Sequence, residues 1–497
     1  MGWFSKKLHS IRERLFGKGQ QGKKLSGRDA KQQRGSAAQE KVLELPAKEP
    51  EAHRRRDPYF IQIGLDFGTS YSKCICRDIM TDKAWIYIPS KIPDNELPFL
   101  IPSTLVFQDD MISYPEEAGI LYPEKGLYNI KNALVSVANG NFEDSSLRPY
   151  LNAIGGSEHE LLHEFVTGCA VYFLAGTIGD IRQKILERFS GLGEHPQDYM
   201  AINMAIPVES AQQPNVNKIF EQVLKEAWGL ADRIAGHPVL HWKEFQSIRE
   251  NRESDIYSDE ACNIYPEVSA NVQGFIRSRV SSPGIYLFSD TGGGTVDQSV
   301  FIFTRQDNQA HLNYLAGRVL PLGSSHIERL AAEESGHTDC FALETWKEKK
   351  ERGEDVPELR NAQHKIYRDL ELGSSGTLAL AKKKLFVKNQ MNDIRLIFCG
   401  GGHRNYPYKK AVMRPFSGPL FSRSISPRVI GLPTPVDIEL KDHETHWMRR
   451  LYVAYGLSFE KSELAPFTYP NEMSNPKPEE VWQRYRKFTE APTKEQC

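Results

Sequence analysis

The chain has 497 residues, 40% of them hydrophobic and 26% charged, and its formal net charge is −1. This balance excludes a disordered or collagen-like chain and is typical of a soluble globular protein with two large domains or one bilobed domain. No run of about 18–20 apolar residues occurs, and residues 165–176, the most apolar stretch, are expected to form a packed core helix. The seven cysteines include no CxxC pair, which favours a reduced, cytoplasmic protein without a zinc site.

The first 56 residues carry a large positive surplus. They hold 15 Lys and Arg against 6 Asp and Glu, so the remaining residues have a net charge of −10. Residues 1–17 predict a basic amphipathic helix, whose apolar face is formed by Phe4, Leu8, Ile11 and Leu15. Such a helix fits either an anionic membrane surface, on the cytoplasmic side, or a docking site on a protein, and both alternatives stay open. Aromatic residues are too few in this basic arm to predict specific nucleic-acid binding.

Residues 18–57 are polar and basic and predict a flexible linker. From residue 58, predicted strands alternate with predicted helices. The strands are expected at 60–68, 72–78, 199–207, 284–294, 298–303 and 394–402, and helices at about 160–190, 214–230 and 445–459. Between residue 303 and about residue 390 only helices are expected. This order predicts an α/β architecture of two related lobes, 58–283 and 284–465, followed by a polar tail, 466–497, with one short helix at 479–488.

Three glycine-rich turns, 66–72, 290–297 and 400–404, each follow an apolar strand. Glycine lets the backbone take positive φ angles and brings N–H groups close to a phosphate. The hydroxyls of Thr69, Ser70 and Thr295 are further donors, while Asp66 and Asp290 stand where they can hold a hydrated magnesium ion. One such turn alone is typical of a structural hairpin. Two that open with an aspartate, followed by a third, predict phosphate binding.

These segments resemble the nucleotide-binding domain of DnaK-type heat-shock chaperones, in the actin, chaperone and sugar-kinase superfamily. IGLDFGTSYS is similar to the first phosphate loop of that family, DTGGGTVD to its second, and LIFCGGGHR to its adenosine loop. YNIKNAL, YPEVSANV and VAYGLSF occur in the family's order, and the resemblance covers about residues 60–460. It implies an actin-like ATPase fold, with two lobes of duplicated ribonuclease-H-like architecture around a central nucleotide cleft.

The resemblance also implies roles for single residues, with ATP and Mg²⁺ as ligands. The implied catalytic residues are Lys131, Glu267, Asp290 and Thr295, and the implied metal-organising residues are Asp66, Asp290 and Asp297. The implied nucleotide-binding residues are Asp66, Gly68, Thr69, Ser70, Gly292, Gly293, Gly294, Thr295, Gly400, Gly401, Gly402 and Arg404. Lys131 and Glu267 would orient the attacking water; the alternative for Lys131 is a solvated helix lysine, and for Glu267 a turn residue.

The chain also departs from the chaperone pattern. Gly402 and His403 stand where chaperones usually have Ser-Thr, and the segment between the second and third turns is shorter. Glu344 and Lys347 fit a remnant of the adenine clamp, although an exposed, salt-bridged helix face is the simpler interpretation. After the last helix of the body only about 30 residues remain, which excludes a chaperone's substrate-binding domain.

The sequence therefore predicts a DnaK-like ATPase whose opening and closing with nucleotide state acts on a protein partner, at a membrane surface if residues 2–17 bind one. The alternatives are an ATP-dependent actin-like filament on a membrane, a small-molecule kinase of the same fold, and a nucleotide-sensing scaffold without turnover.

Overall fold

The computed structural model describes residues 56–473, apart from short gaps at 93–96, 118, 157, 208–212, 252–257, 279, 307–308, 386, 405 and 422. The predicted helices at 1–17 and 479–488 and nearly all of the predicted linker lie outside the described residues. The described chain begins with Arg56, whose guanidinium pairs with both carboxylate oxygens of Asp198 and lies over the ring of Tyr59. Contacts with the folded body therefore begin two residues before the predicted boundary.

The described chain is a mixed α/β protein with three sheets. Its strands are β1 (Phe60–Asp66), β2 (Tyr71–Asp78), β3 (Lys83–Ile86), β4 (Ile101–Pro102), β5 (Leu105–Gln108), β6 (Met111–Ser113), β7 (Gly126–Leu127), β8 (Tyr199–Ile206), β9 (Val239–His241), β10 (Cys262–Pro266), β11 (Gly284–Thr291), β12 (Val296–Gln306), β13 (Gln309–Leu320), β14 (Arg395–Cys399), β15 (Arg428–Ile430), β16 (Ile438–Glu439) and β17 (Phe467–Thr468). Its α-helices are α1 (Ile130–Ala138), α2 (Arg148–Ile154), α3 (His159–Arg188), α4 (Pro214–Ala235), α5 (Trp242–Glu250), α6 (Ser258–Ala261), α7 (Glu267–Asn271), α8 (Gln273–Ile276), α9 (Ser325–Glu334), α10 (Cys340–Glu351), α11 (Pro357–Lys384), α12 (Tyr406–Met413) and α13 (Met448–Leu457).

The two larger sheets have the same strand order and the same strand directions. The first sheet runs β10-β8-β1-β2-β3-β16, with β4 paired to β2, and the second runs β15-β14-β11-β12-β13-β17. In each sheet three parallel strands are followed by an antiparallel hairpin, and the last short strand returns parallel to its neighbour. The duplication predicted from the repeated strand–glycine–strand pattern is therefore present at the level of sheet topology.

The sheets pack in layers because alternate residues of a strand face opposite sides. In β1, Ile61, Ile63 and Leu65 pack into the cluster that contains α3 and α4. In β11, Leu287 packs towards α9 and α11, and Tyr286 and Phe288 face the cluster shared by both sheets and α13. Gly64 allows α13 to lie directly on β1, since a Cβ there would be 2.2 Å from the carbonyl oxygen of Ala454.

Helix α3 has the length and composition of a membrane span, the one such helix within the described part of the chain. Of its most apolar window, 78% is buried inside the protein. A core helix of a globular protein passes the same test, so this is weak evidence for a membrane span. The packing agrees with the expectation that residues 165–176 belong to a core helix.

Two stretches differ from the sequence-based expectation. Residues 309–320 form strand β13, where only helices were predicted after residue 303. Leu312 and Tyr314 face one cluster, while Leu315 and Ala316 face the other, so three neighbouring residues are buried and the alternation of a strand is hidden. The first residues of the predicted polar tail add strand β17 to the second sheet.

Candidate functional site

One cavity of about 450 Å³ lies where the three glycine-rich turns meet. The predicted residues that line it are Asp66, Gly68, Thr69, Ser70, Lys131, Glu267, Asp290, Gly292, Gly293, Gly294, Thr295, Asp297, Gly400, Gly401 and Gly402. The backbone of Arg404 follows in a short 3₁₀ turn, Gly401–Arg404, but its side chain lies outside the described part of the structure. The fold thus brings residues from positions 66 to 402 around one space.

The first and second turns touch each other through glycine. A Cβ on Gly293 would lie 2.1 Å from the hydroxyl oxygen of Ser70, and one on Gly294 would lie 2.4 Å from Cγ2 of Thr69. The Ser70 hydroxyl is also 3.1 Å from that of Ser325, at the start of α9. Any side chain at position 293 or 294 would push the two turns apart, which explains why glycine stands there.

The backbone of the second turn is hydrogen-bonded along one side to the segment at the start of α9. The carbonyl oxygens of Gly292 and Gly293 accept bonds from the amides of Ser324 and Ser325, at 3.0 and 2.7 Å. In a trans peptide the N–H points opposite to the C=O, so the amides of Gly293 and Gly294 point away from that segment. Rows of amides oriented in this way form the concave anion sites of phosphate-binding loops.

The third turn closes against the second. Gly400 has a φ of +82°, and a Cβ there would be 2.2 Å from Oδ1 of Asp290. A Cβ on Gly401 would be 2.5 Å from the guanidinium carbon of Arg450, which also lines the cavity. Glycine is therefore required at 400 both by its left-handed backbone and by the nearby carboxylate.

Lys131 and Glu267 form an ion pair in the wall of the cavity. Lys131 is in the first turn of α1 and only 5% exposed, Glu267 begins α7, and the ammonium contacts Oε1 of the carboxylate. Burial works to lower the pKa of Lys131, but the charges of Glu267 and Asp66 outweigh it and leave the pKa raised. Lys131 is thus a charged, buried group, unlike the solvated helix lysine that was the alternative.

Asp290 and Asp297, on the hairpin formed by β11 and β12, lie in surroundings that disfavour their ionised forms. Burial raises the pKa of Asp290 to about 7, against a smaller lowering by Lys73, and Oδ2 of Asp290 accepts a bond of 2.8 Å from Asn271. Burial and the charge of Glu267 raise the pKa of Asp297 as well. Thr295 donates its hydroxyl to Oδ2 of Asp297 at 2.8 Å. A site with this surplus of carboxylates attracts cations.

The donor set fits a hydrated magnesium ion. Oδ1 of Asp297 is buried and has no hydrogen-bond partner among the residues that the structure describes. Across those same residues no group of three His, Cys, Asp or Glu side chains converges closely enough to hold a metal ion directly. Magnesium usually keeps several waters and binds through one or two carboxylates plus phosphate oxygens. Asp290 and Asp297 fit such an ion through its waters.

Several residues of the site escaped the sequence analysis. Lys73 and Lys350 line the cavity: Lys73 pairs with Asp66, and Lys350 contacts Glu328 and the carbonyl oxygen of Ser324. Asn271 supports the site by its bond to Asp290. Of these residues, only Lys73 could have been found from the sequence. Lys73 follows Asp66 by the same number of residues by which Asp297 follows Asp290. The partners of the others depend on tertiary contacts.

The interpretation of Lys347 as part of an exposed helix face is wrong. Its predicted pairing with Glu344 is present, at 2.5 Å, but Lys347 is only 9% exposed and lines the cavity. The packing of α10 against α9 turns this part of the helix inwards.

Neither a scan against protein-family models nor a search of curated proteins returned a match to this chain.

Proposed function

We propose that this protein is an actin-like ATPase of the DnaK type, which binds ATP in the cavity and hydrolyses it. The observation that carries the proposal is the convergence of two Asp-to-glycine turns and a third glycine turn on one cavity. The equal strand order of the two larger sheets supports the finer fold assignment, two ribonuclease-H-like lobes around a central cleft.

The binding of phosphates follows from the backbone. Amides of the first two turns donate to the β- and γ-phosphates, and the Ser70 hydroxyl lies beside them. The hydroxyls of Thr69 and Thr295, which donate to Asn132 and Asp297 in the structure, reorient to reach the phosphates. The third turn, which contacts Asp290 and Arg450, binds the nucleoside. Because the turn amides are fixed by glycine contacts, they need little rearrangement when the ligand binds, and preorganised donors are the main source of stabilisation in phosphoryl transfer.

The hydrolytic step requires a water in line with the leaving β–γ bridging oxygen. Lys131 and Glu267 orient this water, with the ammonium donating and the carboxylate accepting. The water oxygen attacks the γ-phosphorus, the bond to the bridging oxygen breaks, and the water proton passes to a nearby carboxylate. Glu267, which accepts a hydrogen bond from this water, is the carboxylate placed to take the proton. A hydrated magnesium ion, when bound, neutralises phosphate charge.

Titration calorimetry with ATP, ADP and AMP in Mg²⁺ buffer tests the proposal. ATP and ADP should bind at least about tenfold more tightly than AMP, since one charge-assisted phosphate contact contributes roughly that much. The proposal fails if none of the three nucleotides binds, or if AMP binds as tightly as ATP.

A further inference from the structure

A second cavity, of about 540 Å³, lies between the segment 107–153 and helices α9 and α10. The N-terminal turn of α1 and helix α9 form walls of both cavities. Lys131 and Glu328 line the first cavity, whereas Asn129 and Arg329, their near neighbours in the sequence, line the second. A cavity of this size suits a small organic ligand.

Positive charge from both sides of the second cavity acts on the hydroxyl of Tyr128. Burial raises the pKa of Tyr128, and the charges of Arg329 and Arg148 act to lower it, whereas no carboxylate among the described residues has a comparable effect. All three residues line the cavity. A hydroxyl that lies near two guanidinium groups indicates a place for an anion.

Three acidic residues also line this cavity. The carboxylate of Asp339 caps α10, because it accepts a bond of 2.9 Å from a backbone amide of the first turn. Glu124 and Glu333 are exposed, so water and salt screen their charges, whereas Arg329 is half-buried. The acidic groups therefore leave the end of the cavity at Tyr128 positive.

Two side chains that line the second cavity have groups without a partner among the described residues. Asn129 is only 4% exposed, yet its side chain neither caps α1 nor bonds another described residue. Arg148 forms no ion pair within the described part of the chain. A buried amide without a partner costs free energy, which a bound ligand would recover. Asn129 also has a left-handed backbone, with a φ of +58°, a strained conformation of the kind found at ligand sites.

A short chain of hydrogen bonds connects this cavity with the second glycine turn. The guanidinium of Arg329 donates to Nε2 of His326 at 3.0 Å, so the proton of the neutral ring is on Nδ1. Burial and the charge of Arg329 lower the pKa of His326 to about 3, which keeps the ring neutral. The ring also hydrogen-bonds the backbone of Gly294, in the second turn. A ligand that shifts Arg329 would therefore act on this turn through His326.

We propose that the second cavity binds a small organic anion, whose carboxylate or phosphate group is held by Arg148, Arg329 and Asn129. Both kinds of group accept the parallel bonds that a guanidinium donates. The bound anion acts on the second glycine turn through Arg329 and His326, and so changes the affinity of the neighbouring cavity for its nucleotide. The anion site does not depend on the proposed function, whereas its effect on nucleotide affinity rests on it.

The anion site is tested by titration calorimetry of the full-length, nucleotide-free protein with benzoate, phenyl phosphate and benzylammonium, which share a ring and differ in charge. At least one of the two anions should bind with a Kd of about 1 mM or below, and the cation at least about tenfold more weakly. Arg148→Met should weaken anion binding by about tenfold or more, the effect of losing a charge-assisted bond. Arg368→Met is the control, since the Arg368 side chain is 76% exposed, and it should bind the anion as wild type does.

The anion site is overturned if neither anion binds, if benzylammonium binds as tightly as the anions, or if Arg148→Met binds them as tightly as wild type. Binding of one anion but not the other identifies the recognised group as carboxylate or phosphate.

The link to the second turn is tested by titrating ADP in Mg²⁺ buffer with and without a saturating concentration of the anion. The anion should change the ADP affinity of wild type by about fivefold or more, and His326→Leu should remove this change. An unchanged ADP affinity in wild type, or a change that persists in His326→Leu, overturns the link. If ADP does not bind at all, the proposed function and the link both fail, and the anion titrations still decide whether the site exists.

Discussion

The ammonium of Lys131 contacts the carboxylate of Glu267, which lies 136 residues further along the chain. The pair joins α1 to the start of α7 and fixes both groups at the wall of the cavity. If Lys131 were absent, less positive charge would offset the electrostatic repulsion between Glu267 and the carboxylates of Asp297 and Asp66. The pair is thus a structural contact as well as the proposed water-orienting element.

Lys131→Met should lower the free energy of unfolding by about 3 kcal/mol at pH 8, because it leaves buried carboxylates unpaired. The loss should be smaller at pH 5, because burial and the charge of Glu267 raise the pKa of Asp297, whose carboxyl group then takes up a proton more readily. Urea unfolding at the two pH values measures this. Lys184, which is 40% exposed in a surface pair with Glu187, is the control. Lys184→Met should cost less than about 1 kcal/mol, and an equal cost for both variants would contradict the account.

Asp290→Asn should stabilise the nucleotide-free protein in EDTA, and more at pH 8 than at pH 5. A carboxyl group with a raised pKa in the folded chain stabilises it at low pH and loses that contribution as pH rises through the folded value. With a pKa of about 7 against an ordinary 3.8, the Asp290 carboxyl costs the fold roughly 4 kcal/mol at pH 8, where it is ionised, and roughly 2 kcal/mol at pH 5, where folding makes it take up a proton.

Thermal unfolding of wild type and Asp290→Asn at the two pH values checks this sign. Asp355→Asn is the control, since the Asp355 side chain is 78% exposed. An increase in melting temperature that is equal at both pH values, or a decrease at pH 8, would show that Asp290 is not held in a charge-disfavouring environment.

Gly323→Ala should weaken ATP binding by about tenfold or more, because a Cβ there would lie 2.2 Å from the carbonyl oxygen of Gly293 and displace the second turn. Gly229→Ala is the matched control: Gly229 lies in α4, and its added Cβ would meet no atom within 4 Å. The control should keep ATP affinity and gain up to about 1 kcal/mol of stability. Equal affinities in calorimetry would mean that the second turn does not bind the ligand.

Much of the α/β pattern could be predicted because its signals are local. The strand–glycine–strand units, with Asp66 and Asp290 at their ends, depend on neighbouring residues alone. Strand β13 was missed because it faces two hydrophobic clusters, which removes the period of two. The partners of the site depend on distant segments: Ser70 meets Ser325 across 255 residues, a contact that no spacing in one sequence reveals.

The roles of the cavity residues stay predictions until turnover is measured. The most direct measurement is single-turnover hydrolysis of ATP in Mg²⁺ by wild type, Lys131→Ala, Asp290→Asn and the control Lys184→Ala. We predict that wild type and the control release phosphate, and that the two site variants are slower by about 100-fold or more. Two results would contradict the account. If wild type binds ATP but leaves it intact, a nucleotide-sensing scaffold is favoured. The other contradicting result is an unchanged rate of hydrolysis in both site variants.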